Sequence, residues 1–186
     1  MMGSVLRSVV PFLLGTLLLT GCALQPAEGL PGKEALEEPR TLTQQIEARW
    51  KDSSGSLLTI LQVENGELDF LATTLLGQEV FHLHYNGVTP ILLSHSDTLP
   101  RHFRADYLLR DLLWGLWPAT SLRPALERAG LVLDDSDATR TIHARADKGG
   151  RVVLSIQRRG QGIFHIENPR FGYVLDLSPA NTGEKP

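Results

Sequence analysis

Two blocks of alternating apolar and polar residues, separated by one leucine-rich block of helical period, constrain this chain most tightly. An apolar residue at every second position belongs to a strand buried on one face, because successive side chains point to opposite sides of a sheet. TLTQQIEARW places Leu42, Ile46, Ala48 and Trp50 on one face, with Gln44 interrupting it. SLLTILQVEN is apolar on both faces (Leu57, Leu61 and Val63 against Leu58 and Ile60) and ends in Asn65-Gly66, a strong hairpin signal. ELDFLATT then aligns Leu68, Phe70 and Ala72. EVFHLHYNG sets Phe81, Leu83 and Tyr85 opposite His82 and His84, and ends in Asn86-Gly87. The pattern predicts a meander of antiparallel strands.

The alternation returns after residue 140. Ile142 and Ala144 precede a turn at Asp147-Lys148-Gly149-Gly150, and RVVLSIQRR aligns Val152, Leu154 and Ile156. Another turn follows at Arg159-Gly160-Gln161-Gly162, then GIFHIENP, then a strand aligning Phe171, Tyr173, Leu175 and Leu177. Between the blocks, Leu108, Leu109, Leu112, Leu113 and Leu116 recur at helical spacing until Pro118. A second short helix is expected with Ser121 as its cap and Gly130 just past its end. Strands, two helices, strands: the order predicts an antiparallel α+β fold with helices on one face of a curved sheet.

The N-terminus is of a different kind. Arg7 is the only charged side chain before the lone cysteine, Cys22, and the apolar run between them is short and broken by Gly and Pro. That suits a signal-peptide apolar region better than a spanning helix. Leu19-Thr20-Gly21-Cys22 resembles the bacterial lipobox. The resemblance implies cleavage after Gly21 and acylation of Cys22. By analogy with enterobacterial sorting, Ala23 and Leu24 imply delivery to the outer membrane, with the protein facing the periplasm.

The expected organisation is a signal peptide over 1–21, an acylated cysteine and flexible tether over 22–40, one domain over 41–178, and a disordered tail over 179–186. The tether, ALQPAEGLPGKEALEEPR after the cysteine, is rich in Pro, Gly and Glu, and as a flexible coil reaches roughly 20–25 Å. Without Arg7 the chain carries 17 Lys and Arg against 21 Asp and Glu, so the basic footprint of a nucleic-acid binder is missing.

Enzyme motifs are not evident. The sequence holds no Gly-x-Ser-x-Gly elbow, no His-Glu-x-x-His and no glycine-rich phosphate loop. Ser94, His95 and Asp97 adjoin in sequence, but a triad needs partners brought together by the fold. His82 and His84 share a strand face without an evident third ligand, so a solvent-facing polar edge is the expectation and no metal or cofactor is assigned. The expected function is non-enzymatic.

The stretch ELDFLATTLLGQEVFHLHYNG, followed by RADYLLRDLLWGLWPATSLRPAL, resembles the middle of LolB, the outer-membrane lipoprotein that receives other lipoproteins from the periplasmic carrier LolA. The strand ending in Leu76-Gly77, the alternating strand after it, and the leucine-rich helix running through proline into Ser121-Leu122-Arg123 carry the likeness. The chain is more similar still to a family of LolB-like lipoproteins of unknown function. The resemblance implies an antiparallel half-open β-barrel with an apolar concave face under a helical lid. It implies no cofactor. The implied partners are a membrane, an acyl-chain or other lipid-like ligand, and a periplasmic carrier protein.

Within that shape Trp50, Phe70, Phe81 and Leu83 are candidates for a cavity wall, and Leu109, Leu113 and Trp117 for its lid; a filled core would use the same residues. Leu75, Leu76 and Gly77 form the remaining candidate site. Alternation stops there, and two leucines sit where turns normally carry polar residues. Either both fold back on the core, or the loop inserts into membranes. In LolB the leucine matching Leu76 promotes insertion of the cargo, and Leu75 stands where the LolB pattern has proline. Two functions follow: an anchored carrier or receptor for an apolar ligand, or a structural envelope lipoprotein with a filled core.

Overall fold

The computed structural model describes residues 28–180 apart from 52, 98, 100–102, 147 and 148. Five strands come first: β1 Arg40–Trp50, β2 Ser53–Glu64, β3 Glu67–Thr73, β4 Glu79–Tyr85 and β5 Pro90–His95. Helices α1 Ala105–Leu116 and α2 Ala119–Arg128 follow. The chain ends in β6 Leu131–Asp135, β7 Thr139–Ala144, β8 Val152–Arg158, β9 Phe164–Asn168 and β10 Tyr173–Pro179. Among the described residues these make one ten-stranded sheet in the order β5-β4-β3-β2-β1-β10-β9-β8-β7-β6. Neighbouring strands are antiparallel, with the first and last long strands joined at its centre, Trp50 opposite Tyr173. The fold is α+β, and the sheet is not closed: no ladder joins its edge strands β5 and β6.

Alternation and burial agree along most strands. Ile46, Leu61, Phe70, Leu83, Leu154, Ile156, Ile166 and Leu175 are buried and form one core with Leu109, Leu112, Leu113 and Trp114 of α1. The Asn65-Gly66 turn has positive φ at both residues (54° and 77°), the geometry of a tight hairpin that glycine adopts without strain. Pro118 ends α1 as expected, and Gly130 (φ 70°) closes α2. Arg140 of β7 donates from Nη1 to the Trp114 and Trp117 carbonyls at 2.6 and 2.8 Å, satisfying the C-terminal end of α1.

Five expectations change. Ser121 is not a helix cap: α2 begins at Ala119 directly behind Pro118, whose fixed φ starts the turn without a side-chain cap. Val152 does not share the inner face with Leu154 and Ile156. The β7–β8 register slips between Ile142 and His143, which makes Val153 the extra residue; Val153 is buried and Val152 exposed. Gln44 is drawn inside with its strand, and its Oε1 is buried without a hydrogen-bond partner. The segment read as flexible tether is docked from residue 28 onward and contains a 3₁₀ turn, Lys33–Leu36, with Leu36 fully buried. Pro179, read as the first residue of the tail, still belongs to β10, and Ala180 N donates to Thr43 O; residues 181–186 lie outside the described residues.

Candidate functional site

A cleft of about 280 Å³ opens beside the N-terminal half of α1. Its wall comes from the centre of the sheet: Ile46, Ala48 and Trp50 of β1, Gly55 and Leu57 of β2, Tyr173 and Leu175 of β10. Leu99, Phe103, Arg104, Tyr107 and Leu108 cover it from the helix side, and Phe171 from the β9–β10 turn. The surface is almost wholly apolar because alternation directs these strand residues to one face and helical spacing directs Leu108 toward them. Gly55 leaves room by lacking a side chain: a Cβ there would meet only Trp50 Cη2, at 3.9 Å. Arg104 is the charged group in the lining. Its guanidinium pairs with Asp106, with Nε donating to Oδ1 at 2.7 Å, and this bond holds the arginine pKa above its ordinary value.

Aromatic side chains frame the opening. The Tyr107 and Phe171 rings lie 4.7 Å apart, and Phe171 stacks near-parallel on Tyr173 at 6.4 Å. Beneath them is a buried polar cluster. Arg110 lies against the Tyr107 and Trp114 rings at 4.8 and 4.4 Å, and its Nε donates to Asp111 Oδ1 at 2.8 Å. Asp111 Oδ2 accepts from Asn168 Nδ2 at 2.6 Å and from the Tyr173 hydroxyl. Burial, followed by the adjacent Asp111 carboxylate, pushes the Tyr173 hydroxyl far above its usual pKa, so it stays a donor. Asn168 Oδ1 accepts the Phe171 N–H, which fixes the turn carrying that ring.

Of the residues expected at a cavity, only Trp50 lines this cleft. Phe70, Phe81, Leu83, Leu109 and Leu113 are packed in the core, Phe70 and Phe81 edge to face at 5.0 Å. Trp117 is buried and donates from Nε1 to the Ala35 carbonyl. Leu109, Leu112 and Leu113 of α1 pack in the core, while its N-cap Arg104 and first-turn neighbours Tyr107 and Leu108 border the cleft.

The Leu75-Leu76 stretch does not fold back. Leu75 is 59% exposed and Leu76 90% exposed, the latter the most exposed large apolar side chain among the described residues. The turn is nevertheless ordered: Thr74 N donates to Gln78 O, Gly77 N to Thr74 O, and Gly77 takes φ 80°. Hairpin alternation places this turn at the same end of the sheet as Trp50 and the β9–β10 turn, since β1 and β3 both run toward that end and Trp50 pairs with Tyr173. The cleft and the exposed leucines therefore share one end.

Elsewhere, His82 Nε2 and His84 Nδ1 both lie 3.2 Å from Asp69 Oδ1 on the outer face, and no metal-holding group of three is formed among the described residues. Ser94 donates to Glu79, and His95 Nδ1 lies 3.4 Å from the Ser96 carbonyl, so Ser94 and His95 are directed to other partners. Among the described residues no helix is long and apolar enough to cross a membrane. Cys22 lies outside the described residues. Sequence reasoning did not place the other lining residues at a site, and five of them, Gly55, Leu99, Phe103, Arg104 and Tyr107, it did not single out at all. The helical period could have found Tyr107, one turn before Arg110 and Asp111; Leu99, Phe103 and Arg104 precede the helix with no period to read, and a glycine in a strand shows no apolar face.

The chain belongs to the family described as Protein of unknown function (DUF3261), whose model matches residues 41–181. No curated protein matches the chain.

Proposed function

We propose that this chain is an outer-membrane lipoprotein, anchored through Cys22 and facing the periplasm, that holds the apolar chain of a lipid-like ligand and passes it to the membrane. Its open sheet acts as a half-open barrel, with α1 as the cover of the concave side. The observation that carries this reading is the apolar cleft sharing one end of the sheet with Leu75 and Leu76. The cleft, about 280 Å³, is close to the lower end of the roughly 300–1,000 Å³ of ligand pockets, and each methylene buried in it is worth about 0.8 kcal/mol before ordering costs. Leu75 and Leu76, 59% and 90% exposed, add roughly 2–4 kcal/mol on entering lipid, which favours holding the mouth at a bilayer while the chain crosses. The lipobox-like segment and the likeness to LolB support the anchor and the class of cargo, lipoprotein acyl chains or another lipid, delivered by a periplasmic carrier.

The competing reading, a structural lipoprotein with a filled core, draws on the tight packing of Phe70, Phe81, Leu83, Leu109 and Leu113. Saturable uptake of N-phenyl-1-naphthylamine by the purified protein separates the two. A Cys22→Ala chain tests the anchor separately: it should fail lipoprotein processing, and a yield of fully membrane-bound mature protein would overturn the anchor.

A further inference from the structure

The segment from Gly29 to Leu36 lies N-terminal to the family match and is the part of the expected tether that became structure. Three of its carbonyls accept side-chain hydrogen bonds from the domain. Trp114 Nε1 donates to Gly29 O at 2.8 Å, Tyr85 Oη to Pro31 O at 2.6 Å, and Trp117 Nε1 to Ala35 O at 2.8 Å. Leu36 adds a fully buried apolar contact. The fit is close: a Cβ at Gly87 would lie 2.7 Å from the Lys33 backbone, so the β4–β5 turn is shaped to admit this segment. Burial beneath it pushes the Tyr85 hydroxyl up to about 12.

Two of the three donors, Trp114 and Trp117, are at the C-terminal end of α1. The opposite end of the same helix supplies Arg104, Tyr107 and Leu108 to the cleft. A twelve-residue helix is a stiff rod of about 18 Å, so the position of one end constrains the other. We infer that residues 29–36 are a strap that holds α1 in place, so that docking of the strap and occupancy of the cleft are thermodynamically coupled. The chain leading to Cys22 enters the domain through this strap. Release of the strap removes two ties from the C-terminal end of α1 and leaves those from Arg140, which loosens the Tyr107 and Leu108 wall and lowers affinity for an apolar ligand. Coupling is reciprocal, so a bound ligand must protect the strap by the same factor.

This inference rests on the ligand-binding reading above, and its test has an arm independent of ligand. Hydrogen exchange of the full processed chain is compared with that of a Leu36→Ala/Tyr85→Phe variant, and uptake of N-phenyl-1-naphthylamine is titrated in both. Trp117→Phe, which keeps an apolar ring and deletes one strap hydrogen bond, serves if the double variant fails to fold. The expected result is faster exchange in 29–36, a parallel rise in 104–110, and at least a fivefold weaker Kd. In the wild type, saturating probe should slow exchange in 29–36. A strap that exchanges freely while 104–110 stays as protected as in the wild type would overturn the inference, whatever the probe does. If neither protein takes up probe, the ligand-binding reading fails, and the exchange arm still decides whether strap and helix move together.

Discussion

Asn168 Nδ2 donates to Asp111 Oδ2 at 2.6 Å, tying the β9–β10 turn to α1 through a carboxylate with no exposure to solvent. The same carboxylate receives Arg110 and the Tyr173 hydroxyl. Removing it strands a buried guanidinium, which costs about 3–5 kcal/mol when one member of a buried pair is lost. Asp111→Ala should therefore lower Tm by on the order of 10 °C, at roughly 2–4 °C per kcal/mol for a domain of this size. Differential scanning calorimetry checks it; an unchanged Tm would mean that the cluster is not the pin that holds the turn.

Gly55→Leu should fill the cleft without disturbing the sheet. Its Cβ has open space short of Trp50, and the strand position suits a side chain that packs. Thermal stability should stay level or rise, while affinity for N-phenyl-1-naphthylamine falls at least tenfold. Calorimetry and a fluorescence titration on the same preparation read both quantities.

Leu76→Glu should leave folding untouched, because a side chain 90% exposed contributes little to the core. Uptake of the probe should persist, and transfer of the bound probe to lipid vesicles should drop sharply. Stopped-flow transfer measured beside a melting curve distinguishes the two; undiminished transfer would remove the insertion role of the turn.

Acid stability should depend on Asp135. Its hydrogen bonds with Arg140, and then with Arg158, hold its carboxyl below the ordinary range despite partial burial. A depressed folded pKa means that its contribution is complete above the unfolded value of about 3.9 and is lost as pH falls through the lower folded value. Asp135→Asn should thus be less stable than wild type at neutral pH, with the difference shrinking below about pH 4. Urea unfolding at a series of pH values reads this; a constant difference across the series would refute the assignment.

The sequence was most legible where one face is buried. β1, β3, β4 and β10 follow their alternation because a core on one side and water on the other impose it. The edge strands were not legible. β5 exposes Ile91, Leu92 and Leu93, and so carries no two-residue period, while β6 is five residues long. The bulge at Val153 was hidden for a related reason: Val152, Val153 and Leu154 are all apolar, and either valine could have been the inward one. The docking of residues 29–36 depends on carbonyls, which every residue has, meeting indole and phenol donors more than fifty positions away; composition alone made the segment resemble a linker. At the site, aromatic wall and leucine lid were expected from residue type, but type does not tell a filled part of a concave face from an open one. Trp50 borders the open part because it is at the β1 end, where Gly55 leaves space across the hairpin.

The most direct measurement is native mass spectrometry of the protein extracted gently from its membrane, run beside the Gly55→Leu variant. The account predicts an apolar molecule retained at one per chain by the wild type and absent from the variant. A wild-type protein that carries no such molecule and shows no saturable uptake of N-phenyl-1-naphthylamine would contradict it, and would leave the filled-core lipoprotein as the reading that stands.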